Sequence, residues 1–313
     1  MKYIAKKAAT MLVTLLIISL LAFLAFEVIP GDPTTKMLGT EWTPERAAAL
    51  REELELNVPL PLRYLRWLTG FFTGNLGKSY SYSAPVGELL RGKIGVTASL
   101  SLLAFAMVVL ISIPLGLYLA EKEGKWVDRV CQVLTQITMS VPPFFIGILF
   151  TGIFGLALRL FVAGQFVSIR ESFWGYWGYL FFPALAIALP KSAMTVKLLR
   201  SSILSELDED YVRTAYSRGN SRKSALRRHV LRNSIIPVIT FLAVTLSDIV
   251  AGSIIVEQVF IIPGLGRLLL LGISNRDYPL VLSIVMIIAT VVILVNFLAD
   301  VLYQRIDPRI HLR

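Results

Sequence analysis

The stretch AATMLVTLLIISLLAFLAF, residues 8–26, decides the fold class. It holds 19 residues without a charge, close to the roughly 20 that an α-helix needs to cross a bilayer. Lys2, Lys6 and Lys7 precede it, as they would in a signal peptide. The run is longer than the apolar core of such a peptide, and no A-x-A cleavage site follows. We therefore predict a retained first membrane span.

The rest of the chain repeats this pattern. Of its 313 residues, 55% are hydrophobic and 17% are charged, which is too apolar for an ordinary soluble domain. Five further apolar runs follow, at about 97–120, 133–158, 179–199, 235–256 and 279–303. The sequence therefore predicts an all-α, polytopic membrane protein with six transmembrane helices and both termini on one side.

The distribution of Lys and Arg predicts the orientation. Four segments are predicted on the side of the N-terminus. Segments 1–7, 121–132 and 304–313 hold three Lys and Arg each, and segment 200–234 holds eight. The two short loops opposite, 159–178 and 257–278, hold 2 each. Segment 30–96 holds 8 but is too long to count in this rule. Both termini are predicted to be cytoplasmic, and the net charge of +10 needs no nucleic acid to explain it.

Few residues suit metal or nucleotide chemistry. Cys131 is the only cysteine, and His229 and His311 are the only histidines, so neither a disulfide within the chain nor a Cys or multi-His metal site is predicted. LGKSY (76–80) resembles the end of a phosphate-binding loop, but Phe72 stands where that motif needs glycine. Any ATP used must be bound by another chain.

Two extramembrane segments and several prolines carry local signals. TPERAAALREELEL (43–56) predicts a helix capped by Thr43 with Pro44 first. The apolar loop 257–278 is too short to cross twice and is expected to lie in the interface or in a cavity. Pro114 and Pro190 fall within spans; Pro114 is interpreted as a packing kink. For the pair Pro142–Pro143, a packing kink and a hinge are both open.

Two charges fall deep in predicted spans, where each costs about 2.5–3.5 kcal/mol. Lys191 and Asp248 are expected to differ in depth by about 8 Å on a 30 Å core. We predict that they face the interior, either as a salt bridge, which is favoured, or as two poles of a substrate pathway. Asn296 and Asp300, four apart on the last span, are interpreted as helix–helix contacts.

The stretch DYVRTAYSRGNSRKSALRRHVLRN, residues 210–233, is the cationic exception, with seven Arg and Lys. Residues 200–218 predict a helix, Gly219–Asn220 a stop, and Ser221 the cap of a second helix to about Asn233. Pro237 is then expected in the first turn of the fifth span. The segment has two interpretations: a loop attracted to anionic lipid, or a docking surface for a protein. The apolar positions Val212, Ala215 and Tyr216 on one face favour docking.

Five motifs give the chain a resemblance to a known family. DYVRTAYSRG (210–219) with RHVLRNSIIP (228–237) resembles the cytoplasmic loop of binding-protein-dependent ABC importer permeases, in particular the B-type subunit of oligopeptide and dipeptide importers. The other motifs are similar in order and spacing, and they are IPGDP (29–33), LGKSYSYSAPVGELL (76–90), DRV (128–130) with SVPPFFIG (140–147), and VEQVFIIPGLGRLLLLGISNRDYPLV (256–281) with LADVLYQRIDPRI (298–310).

This resemblance implies a type I importer core, MetI-like, whose cytoplasmic loop couples to an ATPase subunit. The implied coupling residues are Tyr211, Arg213, Thr214, Ala215, Tyr216, Arg218, Gly219 and Arg222. Gly219 would permit the sharp turn, and Arg213, Arg218 and Arg222 would bond to acidic groups of the ATPase. Tyr216 and Arg218 depart from the Arg and Lys usual in the peptide subgroup, which puts promiscuous pairing in doubt.

The same resemblance implies the function and the partners. The chain would be a non-catalytic permease in a bacterial or archaeal inner membrane, carrying short peptides, or alternatively nickel or a metal chelate. Its partners would be a second permease, two ATPase subunits that bind ATP and Mg, and an extracytoplasmic binding protein. The implied divisions are an N-terminal part (1–92), the core (93–303) with coupling loop 200–234, and a tail (304–313). An alternative of another class is an ion-coupled secondary transporter with Asp248 as its ion site.

Overall fold

The computed structural model of the protein describes residues 2–28, 33–54 and 56–306, and no β-strand occurs within those ranges. Motif residues 29–32 and 307–310 and most of the predicted tail therefore lie outside the described residues. In chain order the helices are α1 (Lys2–Val28), α2 (Pro33–Leu38), α3 (Pro44–Glu53), α4 (Leu60–Thr73), α5 (Val86–Leu90), α6 (Lys93–Glu121), α7 (Trp126–Ser140), α8 (Pro143–Phe150), α9 (Phe173–Leu207), α10 (Asp210–Ser217), α11 (Arg222–Ala225), α12 (Leu231–Val259), α13 (Leu265–Asn275) and α14 (Tyr278–Ile306).

The predicted membrane fold is confirmed. Within the described ranges, five helical segments are long and apolar enough to span a bilayer. Two of them lie within α1 and α14, one is α9, and the other two include α6 and α12. The remaining predicted span, the third apolar run (133–158), corresponds to α7 and α8, which together have the length and composition of a span. The apolar loop 257–278 contains α13, an 11-residue helix that is too short to cross.

The sequence predicted the third apolar run as a single span, but the structure divides it into two helices. α7 and α8 meet at an angle of 100° across a short break. Val141 (φ −95°, ψ 124°) and Pro142 (φ −62°, ψ 143°) are both extended. Each of them precedes a proline, whose ring disfavours the helical conformation of the residue before it. Beyond α8 the chain continues as π-helical residues Thr151–Ala157.

The helix predicted over residues 200–218 is interrupted, which corrects that prediction. α9 ends at Leu207, and Glu209 takes an extended conformation before α10 begins. Asp208, Glu209 and Asp210 are three acids in a row. Acidic side chains are favourable at a helix N-terminus and unfavourable at a C-terminus, so this run starts a new helix.

The boundary predicted near Asn233 is also wrong. α11 passes through π-helical residues Leu226–Val230 directly into α12, so Pro237 lies inside a helix. A proline removes one backbone donor from a helix, and α12 continues through Pro237 despite that loss. No glycine stands between Ser221 and Pro237 to end the helix.

One compact unit comprises Met1–Thr97 and Pro263–Ile293. Phe23 of α1 packs against Tyr64 and Trp67 of α4, with ring centroids 5.4 and 6.0 Å away. The predicted cap of α3 is confirmed, because Thr43 Oγ1 accepts a bond from the Arg46 N–H at 3.2 Å. At the start of α14, the fully buried Asp277 accepts bonds from the N–H groups of Tyr80 (3.1 Å) and Ser81 (3.0 Å).

The other compact unit comprises Ala98–Ile262 and Leu294–Arg313. α9 lies at its centre and packs against α7, α8 and α12. Leu180, Leu199 and Ile203 of α9 are fully buried. The predicted contact of Asn296 with another helix is present, because Ser247 Oγ and Asn296 Oδ1 are 2.8 Å apart.

Candidate functional site

The predicted glycine turn in the cationic segment is present and is built as a Schellman motif. Gly219 has φ +82°, a conformation that glycine adopts without steric cost. Its N–H donates to Tyr216 O at 2.8 Å, and the Asn220 N–H donates to Ala215 O at 3.2 Å. These bonds satisfy carbonyl groups at the end of α10 that would otherwise lack partners.

Side chains fix the start of α10 and the start of α11, on either side of the turn. Ser221 caps α11, as predicted, by accepting a bond from the Ser224 N–H at 3.3 Å. The Tyr211 hydroxyl donates to Glu206 Oε2 at 2.5 Å, joining α10 to the end of α9. Burial, with a contribution from this bond, raises the pKa of Tyr211 to about 12. The Tyr211 hydroxyl therefore remains a donor at neutral pH, and α10 is held in a fixed direction.

The face that α10 presents outward differs from the predicted one. Val212 and Ala215 are buried within this chain, at 0% and 6% exposure, so they do not form part of an open apolar strip. The prediction was wrong on this point because the break at Asp208 turns α10 back onto its own unit. The exposed positions of the candidate coupling set are Arg213, Thr214, Tyr216, Arg218, Gly219 and Arg222.

The candidate cations of this site have different surroundings. Arg213 makes only a loose pair with Asp210, at 3.6 Å, and both side chains are well exposed. Arg222 Nη2 instead lies 2.8 Å from Glu123 Oε2, in the turn between α6 and α7. The sequence led us to expect that Arg222 bonds to an ATPase subunit. In the structure one of its N–H groups already donates to Glu123 of the same chain.

A second set of charges joins the start of α7 to the end of α9. Arg200 donates through Nε and Nη2 to both oxygens of Asp128, each at 2.7 Å. Asp128 is 1% exposed and also accepts a bond from the Gly124 N–H at 3.1 Å. The sequence alone does not indicate this pair, because residues 72 positions apart carry no spacing signal.

The structure brings together the two intramembrane charges that the sequence singled out. Lys191 Nζ of α9 lies 2.8 Å from Asp248 Oδ2 of α12. The Lys191 side chain is 21% exposed, whereas that of Asp248 is 55% exposed. The two residues form a salt bridge, and the Asp248 carboxylate is exposed on the surface of this chain.

The chain belongs to the family of binding-protein-dependent transport system inner membrane components. Residues 112–312 match the family itself, and residues 1–101 match its N-terminal part. Membership confirms the resemblance seen in the motifs and defines a transport permease of the multi-pass membrane class.

Named relatives cover the chain almost from end to end. It is 35% identical to a putative peptide transport system permease protein of Brucella suis and 32% identical to a probable peptide ABC transporter permease protein of Sinorhizobium fredii, each over 98% of both chains. It is 32% identical, over 99% of both chains, to the glutathione transport system permease protein of Salmonella typhi.

Proposed function

We propose that the protein is a permease subunit of an ATP-driven importer of short peptides. The observation that carries the proposal is the match to peptide permeases over nearly the whole of both chains. The glutathione permease among the relatives is named for a small peptide-like substrate, and it supports the same substrate class. In this function the chain would carry out no chemistry, and ATP and Mg would be bound by separate ATPase subunits.

The proposed contact with an ATPase subunit is the exposed face of α10 and its glycine turn. Tyr216, 39% exposed, would enter a cleft of the ATPase, and the exposed Arg213 and Arg218 would bond to acidic groups there. Closure of two ATPases on ATP would then move α10 and change the access of the pathway from one side of the membrane to the other. The Lys and Arg distribution supports a cytoplasmic position for α10 and for both termini.

The pathway itself is proposed to lie between this core, residues 93–303, and that of a second related permease. Residues 1–92 would add the first span and an extracytoplasmic segment that receives a binding protein, and 304–313 would form a cytoplasmic tail. Because a half-exposed carboxylate is costly in lipid, the open side of Asp248 would face the pathway. There the Lys191–Asp248 pair would offer both signs of charge to a zwitterionic peptide.

Reconstitution tests this proposal. The chain, a second permease and ATPase subunits would be purified together and placed in proteoliposomes with a binding protein. We expect uptake of labelled peptides that requires ATP, is stopped by vanadate and is unaffected by an uncoupler. Uptake that is sensitive to uncoupler and independent of ATP would indicate a secondary transporter instead. Uptake of a nickel chelate without uptake of peptide would reject the substrate class.

A further inference from the structure

Three ion pairs connect the short turn between α6 and α7 to the segment that carries α10. Arg227 Nε lies 3.0 Å from Glu121 Oε1, and Arg222 Nη2 lies 2.8 Å from Glu123 Oε2. The third pair is the bidentate contact between Arg200 and Asp128. In each pair the acid belongs to the α6–α7 turn or its flanks, and the cation belongs to residues 200–227. We call these three pairs the ionic clamp.

The members of the ionic clamp differ in strength. Exposed pairs such as Arg222–Glu123 contribute little individually, because water screens them. The Arg200–Asp128 pair is different, since its carboxylate is almost fully buried and both oxygens are engaged. A bidentate Arg–carboxylate contact fixes orientation as well as distance. This pair therefore constrains the orientation of α7 against α9, and the two outer pairs hold the turn against α11 and the π-helical residues that follow it.

Other bonds extend the same block. Lys197 Nζ lies 3.2 Å from Gln136 Oε1, two helical turns further along α7 than Asp128. The Ser202 hydroxyl donates to Ser234 O at 2.9 Å and joins α9 to α12. α7, the end of α9, α11 and the start of α12 are thus bonded to one another. α7 then ends at the proline pair, where the chain bends by 100°.

We propose that the ionic clamp makes α7 a lever that moves together with α10, and that the bend at Pro142–Pro143 is where this movement is taken up. Asp128 and Arg200 are positioning residues in this scheme: they contact neither ATP nor substrate, and they transmit the displacement of α10 to α7. The inference rests on the proposed function, because it requires an ATPase that moves α10.

The first test separates hydrolysis from transport in the reconstituted complete assembly. For Asp128→Asn we expect the ATPase subunits to remain bound and to hydrolyse ATP. The substrate transported per ATP should fall about fivefold or more, the lower end of usual couplings between sites. Glu41→Gln, which removes an exposed ion pair with Arg46, is the matched control and should leave the ratio unchanged. An unchanged ratio in a folded Asp128→Asn assembly would overturn the lever.

A covalent test covers the case in which Asp128→Asn does not fold. Glu121 and Arg227 would both be replaced by cysteine in a chain that also carries Cys131→Ala. Loss of this outer ion pair alone should change transport per ATP little, because Asp128–Arg200 remains. A short bismaleimide joining the two cysteines should leave transport per ATP unchanged, because the two elements move together in the proposed lever. Cross-linking that blocks transport while ATP hydrolysis continues would show that the two elements must separate, and it would overturn the inference.

The proposed function and the proposed lever would fail on different results. If the unmodified assembly neither binds ATPase subunits nor transports peptide, the proposed function is rejected before any variant is compared. If it transports normally and the cross-linked assembly does not, only the lever is rejected.

Discussion

Lys191 and Asp248 lie on different helices, 57 residues apart in the chain, and their side chains meet at 2.8 Å. The pair neutralises two charges that would each be costly within a membrane span. Its carboxylate remains more than half exposed on this chain. The pair is therefore both a contact between α9 and α12 and an open polar group, and substitutions can separate these roles.

The first prediction compares single and double replacements of this pair. Lys191→Met or Asp248→Asn alone leaves an uncompensated charge or polar group, so protein abundance should fall. The double variant Lys191→Met/Asp248→Asn removes both charges, and abundance should recover. Peptide uptake normalised to abundance should stay low in the double variant if the pair lines the pathway. Full recovery of uptake in the double variant would show that the pair only joins α9 to α12 and does not line the pathway.

The second prediction concerns the turn after α10. A methyl group at Gly219 would meet no atom within 4 Å, so the cost of Gly219→Ala is confined to the backbone at φ +82°. That cost is about 1–2 kcal/mol. We expect the turn to relax in free Gly219→Ala permease and to be restored only on docking, so that affinity for the ATPase subunits falls by up to about 30-fold, measured by binding to permease in nanodiscs. Gly219→Asn should lose less, because asparagine tolerates this conformation. Equal losses for Ala and Asn would argue against a backbone cause.

The features that the sequence could predict are those encoded by neighbouring residues. Uncharged runs of about 20 residues predicted the spans, because span length follows from bilayer thickness. Thr43 followed by Pro44 predicted the start of α3, and Gly219 predicted the left-handed turn. In each case one local rule dominates, and no distant contact opposes it.

The sequence could not predict features that depend on contacts between distant residues or on two competing local preferences. The Asp128–Arg200 pair joins positions with no spacing relation. Val212 and Ala215 share a helix face, but only the tertiary fold determines whether that face packs inward. The pair Pro142–Pro143 was compatible with a kink or a break, and the angle depends on how α8 packs against α9.

The third prediction concerns Asp277, which is fully buried before α14. Its carboxylate accepts bonds from the Ser79 hydroxyl, from the N–H groups of Tyr80 and Ser81, and from the Leu280 N–H at the start of the helix. Asp277→Ala would leave these donors unsatisfied, and each such buried group costs about 1–3 kcal/mol. With four donors at the lower end of this range, we expect the free energy of unfolding to fall by about 4 kcal/mol, seen as a lowered midpoint of thermal denaturation in detergent.

Two further variants calibrate that result. Asp277→Asn keeps one acceptor oxygen but turns an NH2 group towards backbone donors, so its loss should be intermediate. Glu45→Gln, on the exposed first turn of α3, changes charge in the same way without burial and should have little effect. An Asp277→Ala protein as stable as the Glu45→Gln protein would contradict the assigned role.

The last prediction concerns the choice of ATPase partner. Tyr216 is the exposed aromatic side chain on α10, and its neighbours Val212 and Ala215 are buried inside the protein. Replacing it should therefore leave folding unchanged while altering the docked surface. Tyr216→Ala should weaken binding of the ATPase that belongs to this importer, because a buried aromatic anchor is usually a large part of an interface.

Tyr216→Arg, which restores the residue usual in the peptide subgroup, should instead broaden pairing to ATPases of other peptide importers. Binding of each ATPase to permease in nanodiscs measures both effects, and Lys125→Gln, an exposed change before α7, serves as the control. Unchanged selectivity in both Tyr216 variants, with Lys125→Gln also normal, would place the determinant of pairing elsewhere on the chain.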